Sequence, residues 1–559
     1  MIHQNQPRSL RTPASLHRRR GSAYLAAVSL LGAGALLTAV PAQATTPAKS
    51  GTGSSKQSQQ HDSRGKQSPK PQQGSNPQRF SPVVKHTGTG PTGYTVTFRY
   101  DDPTATRVQI KGEWSFSDAA HTTTTTSQGV QPEQWTRGDF PIAYPNAVAA
   151  NWPVRDLKQG KDGVWSLTLP LPSGVFTYGF FVNCASDTGS GCTERADPAN
   201  PPWNVIDGVS VGTAEPDSEV YVPSDPRFGT ADFSWEAPAP AGKQGRLADV
   251  SYPSPQSTAP VGTHPLAVYT PPGYNPKRSA AYPTLYLSHG AGGNEVDWST
   301  QGAAGAILDN LIATGRVQPM VVVMTNFNGI PGGAAGYADD LLDNVVPYVQ
   351  SHYNVSDKVA DRAFAGLSAG GARANTLLFD HTAEFGYYSV MSNAGGTPAS
   401  LTDAQVTALK GVLGLQVGSG IQDPIRANTT NEQAALTAAG IGFQDDSVNG
   451  GHEWYVWRTL LHDFVAQRAF KTTTTRATVA TDRKGKETVT ASVTAATSGA
   501  APTGTVQFTV DGVTYGSPVR LSHGSAAAEL KGLQGGSHTV VASYSGDALH
   551  RGSQTTVTG

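Results

Sequence analysis

Apolar and polar positions alternate in short runs over the first structured part of the chain. Residues 94–100 (Tyr-Thr-Val-Thr-Phe-Arg-Tyr) and 163–169 (Gly-Val-Trp-Ser-Leu-Thr-Leu) alternate in this way, and an apolar run at 175–182 opens after the turn signal Pro-Ser-Gly at 172–174. A period of two is typical of antiparallel strands with one buried face. The pattern predicts a β-sandwich that ends near residue 222.

The pattern changes near residue 248, where wholly apolar runs begin to alternate with helical stretches. The run at 320–324 (Met-Val-Val-Val-Met) is one of four such strands, and residues 303–313 and 337–353 have the composition of helices. Strands buried on both faces and separated by helices indicate a parallel sheet. We therefore predict an α/β domain that ends near residue 470.

Alternation returns in the last segment. Residues 504–510 (Gly-Thr-Val-Gln-Phe-Thr-Val) are followed by Asp511-Gly512, a strong hairpin signal. The sequence thus predicts three folded domains, at 91–225, 226–470 and 471–559, of which the outer two are all-β.

The first 90 residues are predicted to lie outside these domains. Three consecutive arginines at 18–20, an apolar stretch at 24–40 and Pro-Ala-Gln-Ala at 41–44 predict a signal peptide over 1–44. An uncleaved anchor is the alternative, disfavoured because the apolar run is barely long enough to span a bilayer. Residues 45–90 are rich in Ser, Gln, Lys, Pro and Gly, which predicts a disordered linker. We expect secretion, free or retained at the cell surface, with no membrane span in the mature chain.

Charge and cysteine content limit the classes of partner and of bound group that we expect for this chain. The 41 basic residues include five arginines of the predicted signal peptide, so 36 remain against 42 acidic residues. A mildly acidic chain lacks the basic footprint of nucleic-acid binding. The two cysteines, Cys184 and Cys192, predict one local disulfide. No metal and no cofactor are expected.

One serine has the context of a nucleophile. Residues 366–370 (Gly-Leu-Ser-Ala-Gly) follow an apolar strand and precede a run of helix formers, which predicts a sharp strand-to-helix turn that presents Ser368. The helix behind it favours developing negative charge. Residues 208–212 match the same motif, but no helix follows Ser210, so we interpret Ser210 as part of a turn.

A base, an acid and an oxyanion hole are then required. His452, in a glycine-flanked loop, is the predicted base, and Asp423, just past an apolar strand, is the predicted acid. Asp445 and Asp446 are rival acids, and His462 is interpreted as a packing residue. The glycine-rich run 289–293 (His-Gly-Ala-Gly-Gly) predicts an oxyanion hole formed by the N–H of Ala291 or Gly292 together with that of Ala369.

These motifs together resemble the feruloyl-esterase-like branch of the esterase D family, carbohydrate esterase family one. The likeness covers roughly residues 248–470, and the matching runs are 268–274 (Val-Tyr-Thr-Pro-Pro-Gly-Tyr), 285–293 (Leu-Tyr-Leu-Ser-His-Gly-Ala-Gly-Gly), 297–298 (Asp-Trp), 366–371 (Gly-Leu-Ser-Ala-Gly-Gly), 418–423 (Gly-Ser-Gly-Ile-Gln-Asp) and 451–458 (Gly-His-Glu-Trp-Tyr-Val-Trp-Arg). The resemblance implies an α/β-hydrolase fold with Ser368, Asp423 and His452 as nucleophile, acid and base. Relatives commonly have Met where this chain has Ala369, which affects pocket shape rather than the backbone N–H.

The flanking domains carry resemblances of their own. Residues 112–114 (Gly-Glu-Trp), 162–165 (Asp-Gly-Val-Trp) and 197–198 (Asp-Pro) are similar to an immunoglobulin-like, carbohydrate-module-related domain found in front of such esterases. Trp114 and Trp165 are expected in the core rather than on sugar. Residues 504–508, 536–540 and 544–547 resemble a bacterial immunoglobulin-like repeat, a spacer or surface-association unit.

The resulting functional hypothesis is a secreted serine carboxylesterase. We expect it to hydrolyse feruloyl-type esters of plant cell-wall polysaccharide and to associate with polysaccharide or the cell wall through its β domains. A siderophore trilactone esterase or a mycolyl-type acyltransferase is the alternative with the same triad. A noncatalytic surface-binding protein is the alternative from another class.

Overall fold

Described residues of the computed structural model comprise 80–123, 129–142, 153–203, 217–398, 400–531 and 536–559. The predicted signal peptide, residues 45–79 of the predicted linker and the motif around Ser210 lie outside them. The last part of the segment predicted as a disordered linker, residues 45–90, is instead ordered, because Val83–His86 pairs as a strand with residues 94–97. In the described ranges no helix is both long enough and apolar enough to cross a bilayer.

Two antiparallel sheets form the first described region. Their strand orders are β1-β2-β8-β7 and β10-β9-β3-β6, and a two-stranded ribbon, β4-β5, lies beside them. Apolar side chains from both sheets share one core, which includes Trp114 and Trp165, as predicted. The strands are β1 Val83–His86, β2 Tyr94–Asp101, β3 Val108–Gly112, β4 Phe116–Ser117, β5 Phe140–Pro141, β6 Val154–Asp156, β7 Lys158–Gln159, β8 Val164–Leu169, β9 Gly174–Val182 and β10 Ser218–Val222.

An eight-stranded sheet forms the middle region, in the order β11-β12-β14-β13-β15-β16-β17-β18. Strands β13 to β18 pair in parallel, and β12 pairs antiparallel with β11 and β14. The strands are β11 Arg246–Thr258, β12 Val261–Thr270, β13 Thr284–Ser288, β14 Val321–Thr325, β15 Arg362–Leu367, β16 Tyr387–Met391, β17 Gly414–Gly420 and β18 Gln444–Val448. This mostly parallel order is that of an α/β-hydrolase-type domain.

Helices cover both faces of this sheet. They are α1 Ala304–Ala313, α2 Gly333–Asp340, α3 Val346–His352, α4 Ala369–Asp380, α5 Asp403–Leu409, α6 Arg426–Ala438 and α7 Trp454–Gln467. Side chains of a strand alternate between faces: in β13, Leu285 and Leu287 join one core and Tyr286 joins the other. Burial on both faces is why these strands are apolar throughout.

Two smaller sheets form the last region, in the orders β19-β20-β23 and β22-β21-β24-β25. The strands are β19 Thr473–Thr481, β20 Glu487–Ala495, β21 Thr505–Val510, β22 Val513–Arg520, β23 Ser525–Leu530, β24 Thr539–Tyr544 and β25 Ser553–Thr558. The predicted hairpin at Asp511-Gly512 joins β21 to β22, and both residues have positive φ, at 50° and 81°. A two-residue hairpin turn of type I′ requires that conformation.

Candidate active site

Ser368 lies at the turn between β15 and α4. Its φ of 53° and ψ of −115° are unusual for a residue with a side chain and carry local strain. Three backbone hydrogen bonds hold it there: the Ser368 N–H donates to the Met391 carbonyl at 2.9 Å, and the Ser368 carbonyl accepts the N–H groups of Ala372 at 3.0 Å and Ala394 at 3.1 Å. The surrounding structure therefore maintains a backbone that Ser368 would not adopt by itself.

Glycines make this turn sterically possible. A Cβ at Gly366 would lie 2.2 Å from the Gly370 carbonyl oxygen, and a Cβ at Gly370 would lie 2.5 Å from the carbonyl oxygens of Ser288 and His289. Both contacts are with backbone, which cannot move aside cheaply. The motif glycines thus let the start of α4 pack directly against the end of β13.

The three predicted triad side chains meet at the carboxyl ends of the strands. The Ser368 Oγ–H donates to His452 Nε2 at 2.8 Å, and the His452 Nδ1–H donates to Asp423 Oδ2 at 3.0 Å. Asp423 is fully buried, whereas 24% of the His452 side chain is exposed. This arrangement can take a proton from the serine hydroxyl and stabilise the imidazolium that results.

Asp423 is fixed from its other side as well. Its Oδ1 accepts the Ile425 N–H at 2.9 Å, so each carboxylate oxygen has a donor. The rival acids are engaged elsewhere: Asp445 accepts from Gln433 and Ser447, and Asp446 accepts from Gln416. The structure thus brings Asp423, and neither rival, to the histidine.

The glycine-rich turn after β13 lies against Ser368, the predicted nucleophile. A Cβ at Gly290 would be 3.5 Å from Ser368 Cβ. His289 Nδ1 lies 2.7 Å from the Gly290 carbonyl, which can only accept, so Nδ1 carries the proton. Because C=O and N–H of a trans peptide point in opposite directions, the Ala291 N–H points away from the His289 ring.

His289 is suited to this orienting contact because it is neutral. Burial lowers its pKa to about 4, so at pH 7 it has one N–H. Its ring stacks on Phe327 with centroids 3.9 Å apart, and the Arg373 guanidinium lies 3.4 Å from the centroid of the same Phe327 ring.

Ala369, the second predicted oxyanion residue, is held by the same arginine. The Arg373 guanidinium donates to the Ala369 carbonyl at 2.8 Å. As the first residue of α4, Ala369 has no intrahelical acceptor for its own N–H.

The loop after β16 borders the turn at Ser368 and rests on a buried acid. The Asn393 side-chain amide donates to Glu432 at 2.8 Å, and Asn393 Oδ1 accepts the Gly395 N–H at 2.7 Å. Burial raises the pKa of Glu432 to about 8. This loop and its acid had no sequence signal that pointed to them.

His452 has an aromatic neighbour that the sequence reasoning also missed. The Trp457 ring meets the His452 ring edge to face, with centroids 4.9 Å apart, and its Nε1–H donates to Ser392 Oγ at 3.1 Å. Trp457 lies on α7, one turn after the histidine. A Trp five residues past a catalytic His candidate was the available signal.

The other predicted residues lie away from this site. Cys184 and Cys192 form a disulfide with Cα atoms 5.9 Å apart. His462 stacks on Trp235 with centroids 4.4 Å apart, which agrees with a packing role. Among the described residues no group of three or more His, Cys, Asp or Glu is placed to hold a metal ion.

Two family models match this chain. Residues 257–398 match the Esterase family, and residues 472–558 match the bacterial Ig-like domain family (group 3). The chain is 34% identical over 217 residues to an endo-1,4-beta-xylanase/feruloyl esterase of Xylanibacter ruminicola, a match that covers 36% of this chain and 29% of that protein. It is 32% identical over 178 residues to endo-1,4-beta-xylanase Y of Acetivibrio thermocellus, covering 30% and 16%. The chain thus spans less than a third of either relative.

Among solved structures, similar chains include a mutant feruloyl esterase module from Clostridium thermocellum complexed with sinapinate. That match has 24% identity and a TM-score of 0.38, and it covers 43% of this chain and 92% of that one. The enterobactin esterase of Shigella flexneri matches with 16% identity and a TM-score of 0.42, covering 69% and 95%. On the family matches, this chain carries an esterase domain followed by a bacterial immunoglobulin-like domain, and the esterase domain is similar in sequence to relatives named for xylanase and feruloyl esterase.

Proposed function

We propose that the protein is a secreted serine carboxylesterase that works through an acyl-enzyme. The observation that carries the proposal is the unbroken hydrogen-bond chain from Ser368 Oγ through His452 to Asp423, at 2.8 and 3.0 Å. Nucleophile, base and orienting acid within hydrogen-bond reach are the requirements of acyl transfer.

The reaction has two steps in this proposal. His452 takes the proton of Ser368 while Oγ attacks the ester carbonyl, and the N–H groups of Ala369 and of Ala291 or Gly292 receive the oxyanion. The protonated His452 gives its proton to the leaving alcohol, which departs and leaves the acyl-enzyme. Water, deprotonated by His452, then attacks the acyl carbon, and the carboxylic acid leaves as Oγ regains its proton.

The proposed substrate is a feruloyl-type ester of plant cell-wall polysaccharide. The names of the sequence relatives, which pair xylanase with feruloyl esterase, support this substrate class. An open pocket of about 340 Å³ lies on the first β region, and hydrogen-bonding side chains make up most of its lining. It is lined by Ser117, Asp118, His121, Gly129, Val130, Gln134, Thr136 and Asp139. The β4-β5 ribbon contributes to this pocket and continues to Ile142, which contacts the loop before His452.

The proposed organisation has a signal peptide over 1–44, a linker that ends before strand β1 rather than at residue 90, a first domain that includes β1 and runs to 225, and domains at 226–470 and 471–559. The two four-stranded sheets around one core support an immunoglobulin-like assignment for the first domain. Export to the extracellular side is supported by the arginines and apolar stretch before residue 45. Polysaccharide or cell-wall association is proposed for the β domains.

The test is Ser368→Ala, with Ser210→Ala as its matched control in the second Gly-x-Ser-x-Gly motif. We expect Ser368→Ala to lower aryl-ester hydrolysis by at least about 10⁴-fold, because the chemistry passes through Oγ, and Ser210→Ala to leave the rate unchanged. Full activity of Ser368→Ala would refute the proposal. Assays with methyl ferulate, a catecholate trilactone and an acyl-trehalose pair then separate the feruloyl substrate from the siderophore and mycolyl alternatives.

A further inference from the structure

Arg458, on the helix that follows His452, is almost wholly buried where the esterase domain meets the first β region. It is 2% exposed. Its Nε–H donates to Glu236 Oε1 at 3.1 Å, and its two terminal nitrogens donate to the Gln301 carbonyl at 2.8 Å and the Val175 carbonyl at 2.9 Å. Three separate segments therefore converge on one guanidinium.

Two buried carboxyl groups complete this cluster. Glu236 Oε2 accepts the Val175 N–H at 2.8 Å. Glu113 Oε2 lies 3.9 Å from Arg458 Nη1 and accepts the Thr177 N–H at 3.2 Å. Burial raises the pKa of both acids while the arginine opposes that rise. Because an unpaired buried charge is costly, the two acids and the arginine are held together, and strand β9 is thereby held to α7.

The same helix positions the catalytic histidine. Trp457, adjacent to Arg458, packs edge to face on the His452 ring. Glu453, the N-cap residue of α7, accepts the Gly451 N–H at 2.6 Å. Any rotation or shift of α7 therefore moves both the ring beside His452 and the loop that carries it.

The first β region contacts that loop a second time. A Cβ at Gly451 would lie 3.0 Å from Ile142 Cδ1, so the isoleucine packs directly on the residue before His452. Ile142 is 1% exposed and follows strand β5. The loop is thus held between α7 and a side chain from outside the esterase domain.

We propose that the first β region is part of the catalytic unit, and that Arg458 is a positioning residue through which strand β9 and Glu113 set the location of α7 and of the His452 ring. This inference rests on the proposed function of Ser368 and His452. It assigns to Arg458 no contact with substrate. A shift of the imidazole by a fraction of an ångström lengthens its hydrogen bond to Ser368 and slows proton transfer.

The test compares Arg458→Met with Lys471→Met in the full chain. Lys471 is the matched control, since it is also a buried cation at a domain contact and donates to the carbonyls of Arg316 and Ala548. We expect Arg458→Met to lower kcat for an aryl ester by on the order of 10- to 100-fold with KM within about twofold. Lys471→Met should lower the melting temperature and leave kcat unchanged. Arg458→Lys, which keeps the charge but loses the fork of donors, should be intermediate.

Ile142→Ala supplies a second variant that leaves every buried charge paired, and it should lower kcat by a few-fold at unchanged KM. An unchanged kcat in folded Arg458→Met, or in Ile142→Ala if Arg458→Met does not fold, overturns the inference while the proposed function stands. A wild-type protein that turns over no ester refutes the proposed function, and the inference falls with it.

Discussion

The two β regions contact the esterase domain at opposite ends of the strands of its sheet. We call the side where the parallel strands end the carboxyl edge and the side where they begin the amino edge. The first contacts the carboxyl edge, where Ile142 packs on Gly451 and a carbonyl of strand β9 accepts a hydrogen bond from Arg458. The last reaches the amino edge: the Ser498 N–H donates to Asp361 Oδ1 at 2.6 Å, just before β15, and Thr497 Oγ1 lies 3.1 Å from the hydroxyl of Tyr387, the first residue of β16. Ligands and catalytic groups gather at the carboxyl ends of open α/β sheets. Only the first contact is therefore placed to affect chemistry.

The buried cations of the two contacts show the same difference. Arg458 is matched by two carboxyl groups and lies on the helix that follows His452. Lys471 contacts two carbonyls instead, and burial lowers its pKa to about 8. The first contact therefore lies beside the candidate active site, whereas the second joins two domains away from it.

The largest expected effect at the carboxyl edge, after loss of the nucleophile, is that of Asp423→Asn. An amide that faces Nδ1 favours the wrong tautomer of His452, so kcat should fall by about 10³- to 10⁴-fold with the fold intact. Steady-state kinetics on an aryl ester measure it. Asp445→Asn, the rival acid, is the matched control and should stay within about twofold; equal losses in both variants would remove Asp423 from the triad.

Gly370→Ala tests the close packing behind the nucleophile. The new Cβ would meet two backbone oxygens at 2.5 Å, so we expect a loss of about 1–3 kcal/mol of stability and a lower kcat as the turn at Ser368 shifts. Thermal unfolding and kinetics measure the two effects.

Gly442→Ala is the control for that substitution, because a Cβ there would meet nothing within 4 Å. Its kcat and its melting temperature should match those of the wild type. A Gly370→Ala protein indistinguishable from Gly442→Ala would show that the close approach of α4 to β13 is not required.

Thr497→Val tests the amino edge. The threonine Oγ1 lies 3.1 Å from the Tyr387 hydroxyl and donates to the Ala360 carbonyl at 3.2 Å. Its loss should cost about 1 kcal/mol of unfolding free energy and leave kcat unchanged. Chemical denaturation and aryl-ester kinetics measure the pair. A tenfold fall in kcat would erase the distinction between the two edges.

The last prediction concerns stability rather than catalysis, and it is a pH dependence from Glu432. Because burial raises its folded-state pKa to about 8, the folded protein retains a proton that the unfolded chain releases above about pH 4.5. Its contribution to stability is therefore lost as pH rises from about 4.5 to 8. Glu432→Gln, which mimics the neutral acid, should unfold at a higher temperature than wild type at pH 8 and at nearly the same temperature at pH 4. A larger difference at pH 4 would contradict this assignment.

Local patterns in the sequence were sufficient for much of the fold. Strands buried on both faces, such as Val321–Thr325, and the hairpin at Asp511-Gly512 carry their own signals. The segment 337–353 was predicted as one helix, but the structure runs from α2 through a π-helical turn at Leu341–Val345 into α3. Apolar spacing does not distinguish a single π turn from continuous α-helix.

The residues of the site also fall into those that the sequence marks and those that it does not. Ser368, Asp423 and His452 could be found because glycine turns and chain order mark them. The role of Arg458 could not, although the residue ends the run 451–458, because its partners Glu236 and Val175 are 222 and 283 positions away and lie outside that run. Long-range pairs of buried charges depend on how domains dock, which the periodicity of a single segment does not encode.

His452, held by Asp423, is proposed to activate Ser368. Intact-protein and peptide mass spectrometry after treatment with an aryl fluorophosphonate measures that activation at the serine itself. We expect one adduct per chain, on Ser368, formed at least about 10²-fold more slowly in His452→Ala than in wild type. An adduct on another serine, or equal labelling rates in the two proteins, would contradict this proposal.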